Sequence, residues 1–316
     1  MVGIKMVGPY MERYRSEIMP VAEEYQRLIV AHCTRLQVDP VDIPHQETDL
    51  NNLFHTFAWL FRPTFADVPV ETFQRIALVG RYYLTEALMM DRLCDGQCHW
   101  PTAYCLFPSI IQECTHTILA QLFPPDSPFW TLFSEQQWNY RRCIVLEKQH
   151  HGRLVPYSQD EFEAIATGVM AKAKLVTGAL AYLSGQVDLL GPAFRSQDQF
   201  ALADRILDDI ADWREDLRAG NFTSLLTDAA LGLGVTDPEE LDEERVGLAL
   251  YLDGHVERYL QMALAATESA LDDAILLRSK AWCEVLLAVR EQARSQLASL
   301  RRVLRKLGVE QVRHRG

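Results

Sequence analysis

Asp208-Asp209-Ile210-Ala211-Asp212-Trp213-Arg214-Glu215-Asp216-Leu217-Arg218-Ala219-Gly220-Asn221 is the stretch from which the rest of the chain can be read. Asp208, Asp212 and Asp216 stand four residues apart in turn. On a helix advancing about 100° per residue, each such step drifts by only about 40°. The three carboxylates therefore share one stripe, with Asp209 and Glu215 near it. Like charges at this spacing destabilise a helix by roughly 0.2–0.5 kcal/mol per pair. A stripe that repels itself calls for a cation. The same step recurs at Asp91 and Asp95, in Met90-Asp91-Arg92-Leu93-Cys94-Asp95-Gly96. Two such stripes facing each other across a helical bundle would form a hard-cation site of oxygen ligands.

Local signals bound the acidic helix. Gly191-Pro192 precedes it, Ser196 and Gln199 have the spacing of an S-x-x-Q capping box, and Gly220 stands where a C-terminal glycine stop is expected. With Ile206 placed at 0°, Ile206, Ile210, Trp213 and Leu217 cluster within about 40° and form the buried face. Asp209 and Asp216 fall at about 280–300°, at the edge of that face; Asp212 lies near 240° and Asp208 furthest round, near 200°. Edge positions suit side chains that line a cavity.

Helical periodicity dominates elsewhere. Residues 11–36, 72–95, 102–122, 128–149, 159–185, 197–219, 223–233, 240–268 and 271–307 carry apolar residues at three- and four-residue spacing, and alternating β-branched runs are absent. Breaks fall at clusters of turn residues, among them Pro124-Pro125 and Gly234 to Pro238. With no internal repeat or linker, the reading is a single all-α domain over residues 1–316, a helical bundle around a central cavity.

The composition excludes some classes. The chain is 48% apolar and 23% charged, with a formal net charge of −12. A surplus of acid argues against a nucleic-acid partner, because phosphate backbones are held by surplus Lys and Arg. No apolar run approaches the ~20 residues of a membrane span, and the start lacks a signal-peptide core, so a cytoplasmic location is expected. Seven scattered cysteines fit reduced thiols better than a disulfide framework. The spacing of Cys94, Cys98, Cys105 and Cys114 lacks the paired short steps of a structural zinc site.

An isolated acidic run is ordinarily a solvated helix face. Two features weigh against that here: the stripe has no Lys at i+4, and Asp91 and Asp95 follow the apolar run Ala87-Leu88-Met89-Met90. A carboxylate pair in apolar surroundings is costly unless neutralised. The chemistry that fits is Mg²⁺ held by one or two carboxylates together with substrate phosphates. Asp91, Asp95, Asp208, Asp209, Asp212 and Asp216 are the candidate metal ligands. Asp91, Asp95, Asp212 and Asp216 are the core of the catalytic set.

At these residues the chain resembles the class I isoprenoid synthases. Asp212-Trp213-Arg214-Glu215-Asp216 followed by Gly220 is similar to the second, D-x-x-E-D-x-x-x-G motif of squalene and phytoene synthases, and Val176-Thr177-Gly178 resembles their V-A-G segment. Asp91-Arg92-Leu93-Cys94-Asp95 is similar to the D-x-L-C-D of the bacterial large terpene synthases of the same superfamily. The resemblance covers residues 75–225. It implies an all-α isoprenoid synthase-like fold with a central cavity, three Mg²⁺ ions and an allylic prenyl diphosphate substrate. Dimers are common in this class, so a homodimer is an expectation.

Two departures bear on the reaction. Leu88, Met89 and Met90 stand where squalene and phytoene synthases usually place an arginine before the first motif. Asn221-Phe222-Thr223-Ser224-Leu225 replaces their arginine and Tyr-Leu-Pro. Both favour a terpene synthase that ionises one diphosphate and cyclises the cation to a hydrocarbon or alcohol. A squalene/phytoene synthase-like or other prenyltransferase is the alternative, and a helical scaffold with solvated acidic faces is the non-enzymatic one. Diphosphate also needs cationic donors. The candidates near the motifs are Arg81, Arg92, Arg153, Lys174 and Arg218. Glu147 and His151, four apart, read as a surface helix end.

Overall fold

A computed structural model describes residues 8–39, 50, 52–94, 96 and 101–308. After a short helical turn at Gly8–Met11 come α1 (Arg15–Leu36), α2 (Leu53–Leu60), α3 (Val70–Cys94), α4 (Pro101–Leu122), α5 (Phe129–His150) and α6 (Gln159–Gly168). These are followed by α7 (Ala171–Leu183), α8 (Leu190–Ala219), α9 (Ser224–Gly232), α10 (Glu243–Leu252), α11 (His255–Leu276) and α12 (Lys280–Lys306). Among the described residues the extended pairing is confined to one bridge, His151 with Asn221. The all-α expectation holds.

The acidic helix α8 lies at the centre. It packs along α11 on one side and against α6 and α7 on others. Ile206, Ile210 and Trp213 are buried as the periodicity predicts. Gly220 ends the helix at φ 70, where the Asn221 amide reaches back to the Asp216 carbonyl at 2.8 Å. A left-handed residue at this position favours glycine because a Cβ would crowd the preceding carbonyl.

The start of α8 differs from the sequence reading. The helix begins at Leu190 rather than at a Ser196 cap. Ser196 is fully buried inside it, donating to the Ala270 carbonyl at 2.8 Å and accepting from the Trp282 indole at 2.7 Å. Its hydroxyl therefore ties α8 to α11 and α12. The sequence spacing of a cap was satisfied by a tertiary bond instead.

Other boundaries move for similar reasons. The helix predicted over 159–185 is bent by 62° between α6 and α7. At Gly168, the last residue of α6, a Cβ would stand 2.3 Å from the Cys143 Cβ, so α6 must meet α5 at a glycine and then turn. Gly254, at φ 90, splits the helix predicted over 240–268. The break predicted near 269 lies instead at 277–279, where Thr64 donates to the Leu277 carbonyl at 2.7 Å and Ser279 caps α12.

Helix α2 has no counterpart in the periodicity reading. Seven of its eight residues are buried, so it shows no polar face to mark its period. Asn52 caps it, accepting from the Phe54 and His55 amides. No single described helix is long and apolar enough to cross a membrane; α6 and α7 together have the length and composition, but α7 is nearly all buried in the bundle.

Candidate active site

A cavity of ≈ 310 Å³ lies between α2, α3, α5, α7 and α8. Its lining is mostly apolar and aromatic: Phe57 and Trp59 from α2, Ala77, Gly80 and Leu84 from α3, Val176 from α7, Phe200 and Ala201 from α8. Along α3 the lining residues recur once per turn and end at Asp91, a rise of about 21 Å from Ala77 at 1.5 Å per residue. Asp91 is exposed, so the cavity reaches solvent there. Along α8 the order is the same, from Phe200 and Ala201 to Asp204, Arg205 and Asp208.

The cavity wall is the face of α8 opposite its apolar stripe. Ala201, Asp204, Arg205 and Asp208 fall at about 160–260° on the scale that places Ile206 at 0°. Asp208, the acid furthest from the apolar stripe, thus lines the cavity. A central helix has two buried faces, one against the core and one against the cavity, so distance from the apolar stripe does not mean solvent.

The acids of α8 have three different surroundings. Burial pushes the Asp204 carboxyl up to about 6, with Asp208 one turn away adding to the rise. Asp209 is 4% exposed and faces Arg205, whose Nε stands 2.9 Å from its oxygen. The same guanidinium donates Nη1 to Glu147 of α5 at 2.8 Å. One cation serves two buried carboxylates. Burial pushes Asp209 up to about 7 despite Arg205; Glu147, also raised by burial, is brought below its usual range by the same arginine. Asp212 is exposed on α8. Asp216 is half-buried, accepts from the Asn221 side chain at 2.8 Å, and is raised by burial. Asp212 and Asp216 lie beyond the cavity lining, one and two turns past Asp208. Asp95 lies outside the described residues.

The candidate cations are dispersed. Arg81 is buried with its guanidinium over the Tyr25 ring, 4.8 Å from the centroid, and Lys174 pairs with Asp198. Arg218 is exposed and bonds Glu243 of α10 at 2.8 Å. Arg92 donates to the Tyr104 hydroxyl at 3.4 Å, and Arg153 is exposed in the connection after α5. None of these five is among the residues that line the cavity.

The cations in the wall are Lys172 and Arg205. Lys172 donates to Glu86 of α3 and to Gln137 of α5, each at 2.8 Å. Its ammonium sits over the rings of Tyr83 and Tyr140, 4.8 and 4.7 Å from their centroids. The sequence reading passed over Asp204, Arg205 and Lys172, and took Glu147 for part of a surface helix end, whereas its side chain lies in the cavity wall paired with Arg205. Asp204 had a signal, because it extends the four-residue step of Asp208, Asp212 and Asp216 by one turn. Lys172 and Lys174 had none to separate them: two residues apart, they leave α7 at about 200° to each other.

Among the described residues no three ligating side chains converge closely enough to hold an ion alone. Mg²⁺ is typically held by one or two carboxylates and completed by water and substrate phosphate. The donor set fits in charge. Asp91, Asp204 and Asp208, three oxygen donors, line one cavity.

The geranylgeranyl pyrophosphate synthase of Lactobacillus brevis superposes with a TM-score of 0.71, covering 92% of this chain and 99% of that one at 13% identity. The fold is that of the isoprenoid synthases. A decaprenyl diphosphate synthase from Rhodobacter capsulatus gives a TM-score of 0.70 at 14% identity, over 90% of this chain and 98% of that one. A polyprenyl synthase from Caulobacter crescentus, solved with calcium and isoprenyl diphosphate, gives 0.64 at 14% identity, over 92% and 98%. No protein-family model and no curated protein matches the sequence. These isoprenoid synthase structures are prenyl or polyprenyl diphosphate synthases rather than cyclases.

Proposed function

We propose that the chain is a divalent-metal-dependent isoprenoid synthase that ionises an allylic prenyl diphosphate. The observation that carries this reading is the placement of Asp91, Asp204 and Asp208 in the wall of a mostly apolar cavity. Asp91 and Asp208 would hold Mg²⁺, with Asp204 one turn along α8 from Asp208 and Asp95, Asp212 and Asp216 available beyond. When bound, the metal supplies Lewis-acid stabilisation of the departing diphosphate. The chain itself orients the diphosphate towards these carboxylates, keeps the hydrocarbon in a dry cavity, and fixes Arg205 between Glu147 and Asp209.

The charge of the wall favours one diphosphate per turnover. A second diphosphate needs cationic donors of its own. Among the described lining residues the lysine and the arginine are Lys172 and Arg205, and each is bound to carboxylate. On this reading the cation is captured within its own chain, giving a cyclic hydrocarbon or alcohol. Transfer of the prenyl group to a second isoprenoid is the other reading, and the likeness to prenyl diphosphate synthases over some nine-tenths of the chain favours it.

One assay separates the readings. The protein is incubated with farnesyl, geranylgeranyl or longer prenyl diphosphates, with and without Mg²⁺ and isopentenyl diphosphate, and diphosphate release and products are measured. Mg²⁺-dependent release with a one-chain product supports cyclisation. Release only with isopentenyl diphosphate, and a lengthened product, supports transfer. No release from any substrate overturns both and leaves a helical scaffold.

A further inference from the structure

The C-terminal half of α12 reverses the charge of the chain. From Gln292 to Gly308 the sequence holds five Lys or Arg residues and no acid, in a chain of formal net charge −12. Arg301 is taken by Glu257 of α11, its Nε donating at 2.8 Å. Arg302, Arg305 and Lys306 are exposed, and none of them is in an ion pair among the described residues. Beside them Val303 and Leu307 are bare, 51% and 64% exposed, whereas Leu304 between them is 2% exposed.

Helix geometry puts these side chains on one outward surface. With Val303 at 0°, Leu307 falls at about 40°, Lys306 at about 300°, Arg302 at about 260° and Arg305 at about 200°, while the buried Leu304 points to about 100°. The surface is an apolar edge bordered by cations. The helix dipole favours cations in a last turn, which accounts for Arg305 and Lys306. It does not account for Arg302 a turn earlier, nor for two exposed apolar side chains one turn apart. The surface also stands at a defined end of the bundle. Arg301 meets the first turn of α11, where Tyr259 shares a hydrogen bond of 2.6 Å with Ser224, just past the Gly220 end of α8. That is the end of the bundle that carries the acidic row.

We infer that this end of α12 docks on an anionic bilayer surface. Val303 and Leu307 enter the boundary between headgroups and acyl chains, as the apolar edge of an interfacial helix does. Arg302, Arg305 and Lys306 meet the lipid phosphates, their long stems holding the charges at headgroup level. An anionic surface repels the acidic remainder of the chain, so the contact is confined to this end and orients the molecule. The inference concerns where the protein sits and does not depend on the reaction proposed above.

The test mixes the full-length protein with vesicles of phosphatidylglycerol and phosphatidylcholine, or of phosphatidylcholine alone, and reads the bound fraction by co-sedimentation at low and high salt. Binding is expected on the anionic vesicles only, and it should weaken with salt. Each cation at such a surface is worth roughly fivefold in partition. The triple variant Arg302→Ala, Arg305→Ala, Lys306→Ala should therefore bind roughly a hundredfold more weakly. Val303→Ser with Leu307→Ser keeps every charge and should still lose at least tenfold. Both variants alter exposed side chains, so their Tm should match the wild type. No binding, equal binding to both vesicles, or full binding by the triple variant overturns the inference. So does binding to soluble heparin as tight as to vesicles and unmoved by the serine variant, which would mark a general polyanion site. A dimer that becomes a monomer in the serine variant, read by light scattering, assigns the edge to a second copy of the chain and overturns it too. The readout uses no substrate, so a failure here leaves the ionising reading untouched.

Discussion

Asp208 and Asp209 are neighbours in sequence, yet they belong to different electrostatic regions. Asp209 is buried against Arg205, which also serves Glu147 and so joins α8 to α5. Asp208 lines the cavity with Asp204 and Asp91, where the wall cations are held by other acids. One region is a buried network closed by its own counter-ion. The other concentrates negative charge beside an apolar space. A single step of about 100° along α8 separates a structural role from a ligand-binding one.

Breaking the closed network should have the largest effect on folding. Arg205→Met leaves Asp209 and Glu147 buried without their cation, and removing one partner of such a set costs about 3–5 kcal/mol. A fall of that size is expected in the urea unfolding free energy. A change under 1 kcal/mol would show that Arg205 is not what holds α5 to α8.

Asp208→Asn should behave in the opposite way. It is an isosteric change at a half-buried position, so its effect on stability should be far smaller than that of Arg205→Met. Mg²⁺-dependent diphosphate release should fall by roughly a hundredfold or more, the scale of losing one electrostatic contact to developing charge. Full activity in this variant would remove Asp208 from the metal set.

Ligand binding sharpens the same contrast. Mg²⁺ with inorganic diphosphate at about a hundred times its Kd should stabilise the fold by about 2.7 kcal/mol, read as a rise in Tm. Asp91→Ala should abolish that rise while its own unliganded Tm changes little, because Asp91 is exposed.

The pH dependence follows from Asp204. Burial raises its folded pKa from 3.8 to about 6. Between those values the folded chain holds more protons than the unfolded one, so this group's contribution to stability is full below pH 4 and is lost as pH rises through about 6. The stability of the wild type minus that of Asp204→Asn should therefore decline over that window in metal-free solution. A flat difference would mean that Asp204 is more hydrated than its place in the wall implies. The smallest effect is expected at Arg218→Ala, whose exposed pairing with Glu243 is worth about 0.2–1 kcal/mol.

Several elements were legible from the chain alone because their causes are local. The four-residue acidic step, the Gly220 stop and the apolar stripe of Ile206, Ile210 and Trp213 need only helix geometry and glycine's freedom at positive φ. Ser196 misled because a hydroxyl that can cap a helix can equally bond another helix's carbonyl, as it does at Ala270. Helix α2 escaped notice because a segment buried all round has no amphipathic period to detect.

The sequence by itself determined that the chain is all-helical and that two acidic rows lie 121 residues apart, from Asp91 to Asp212. Helix periodicity and like-charge spacing are properties of neighbours within a few residues. Only the tertiary structure decided which acids line the cavity, that Lys172 rather than Lys174 enters its wall, and that Arg205 is committed to Asp209 and Glu147. Those outcomes depend on which helices flank α7 and α8. Packing between residues remote in sequence fixes that arrangement, and no local pattern records it.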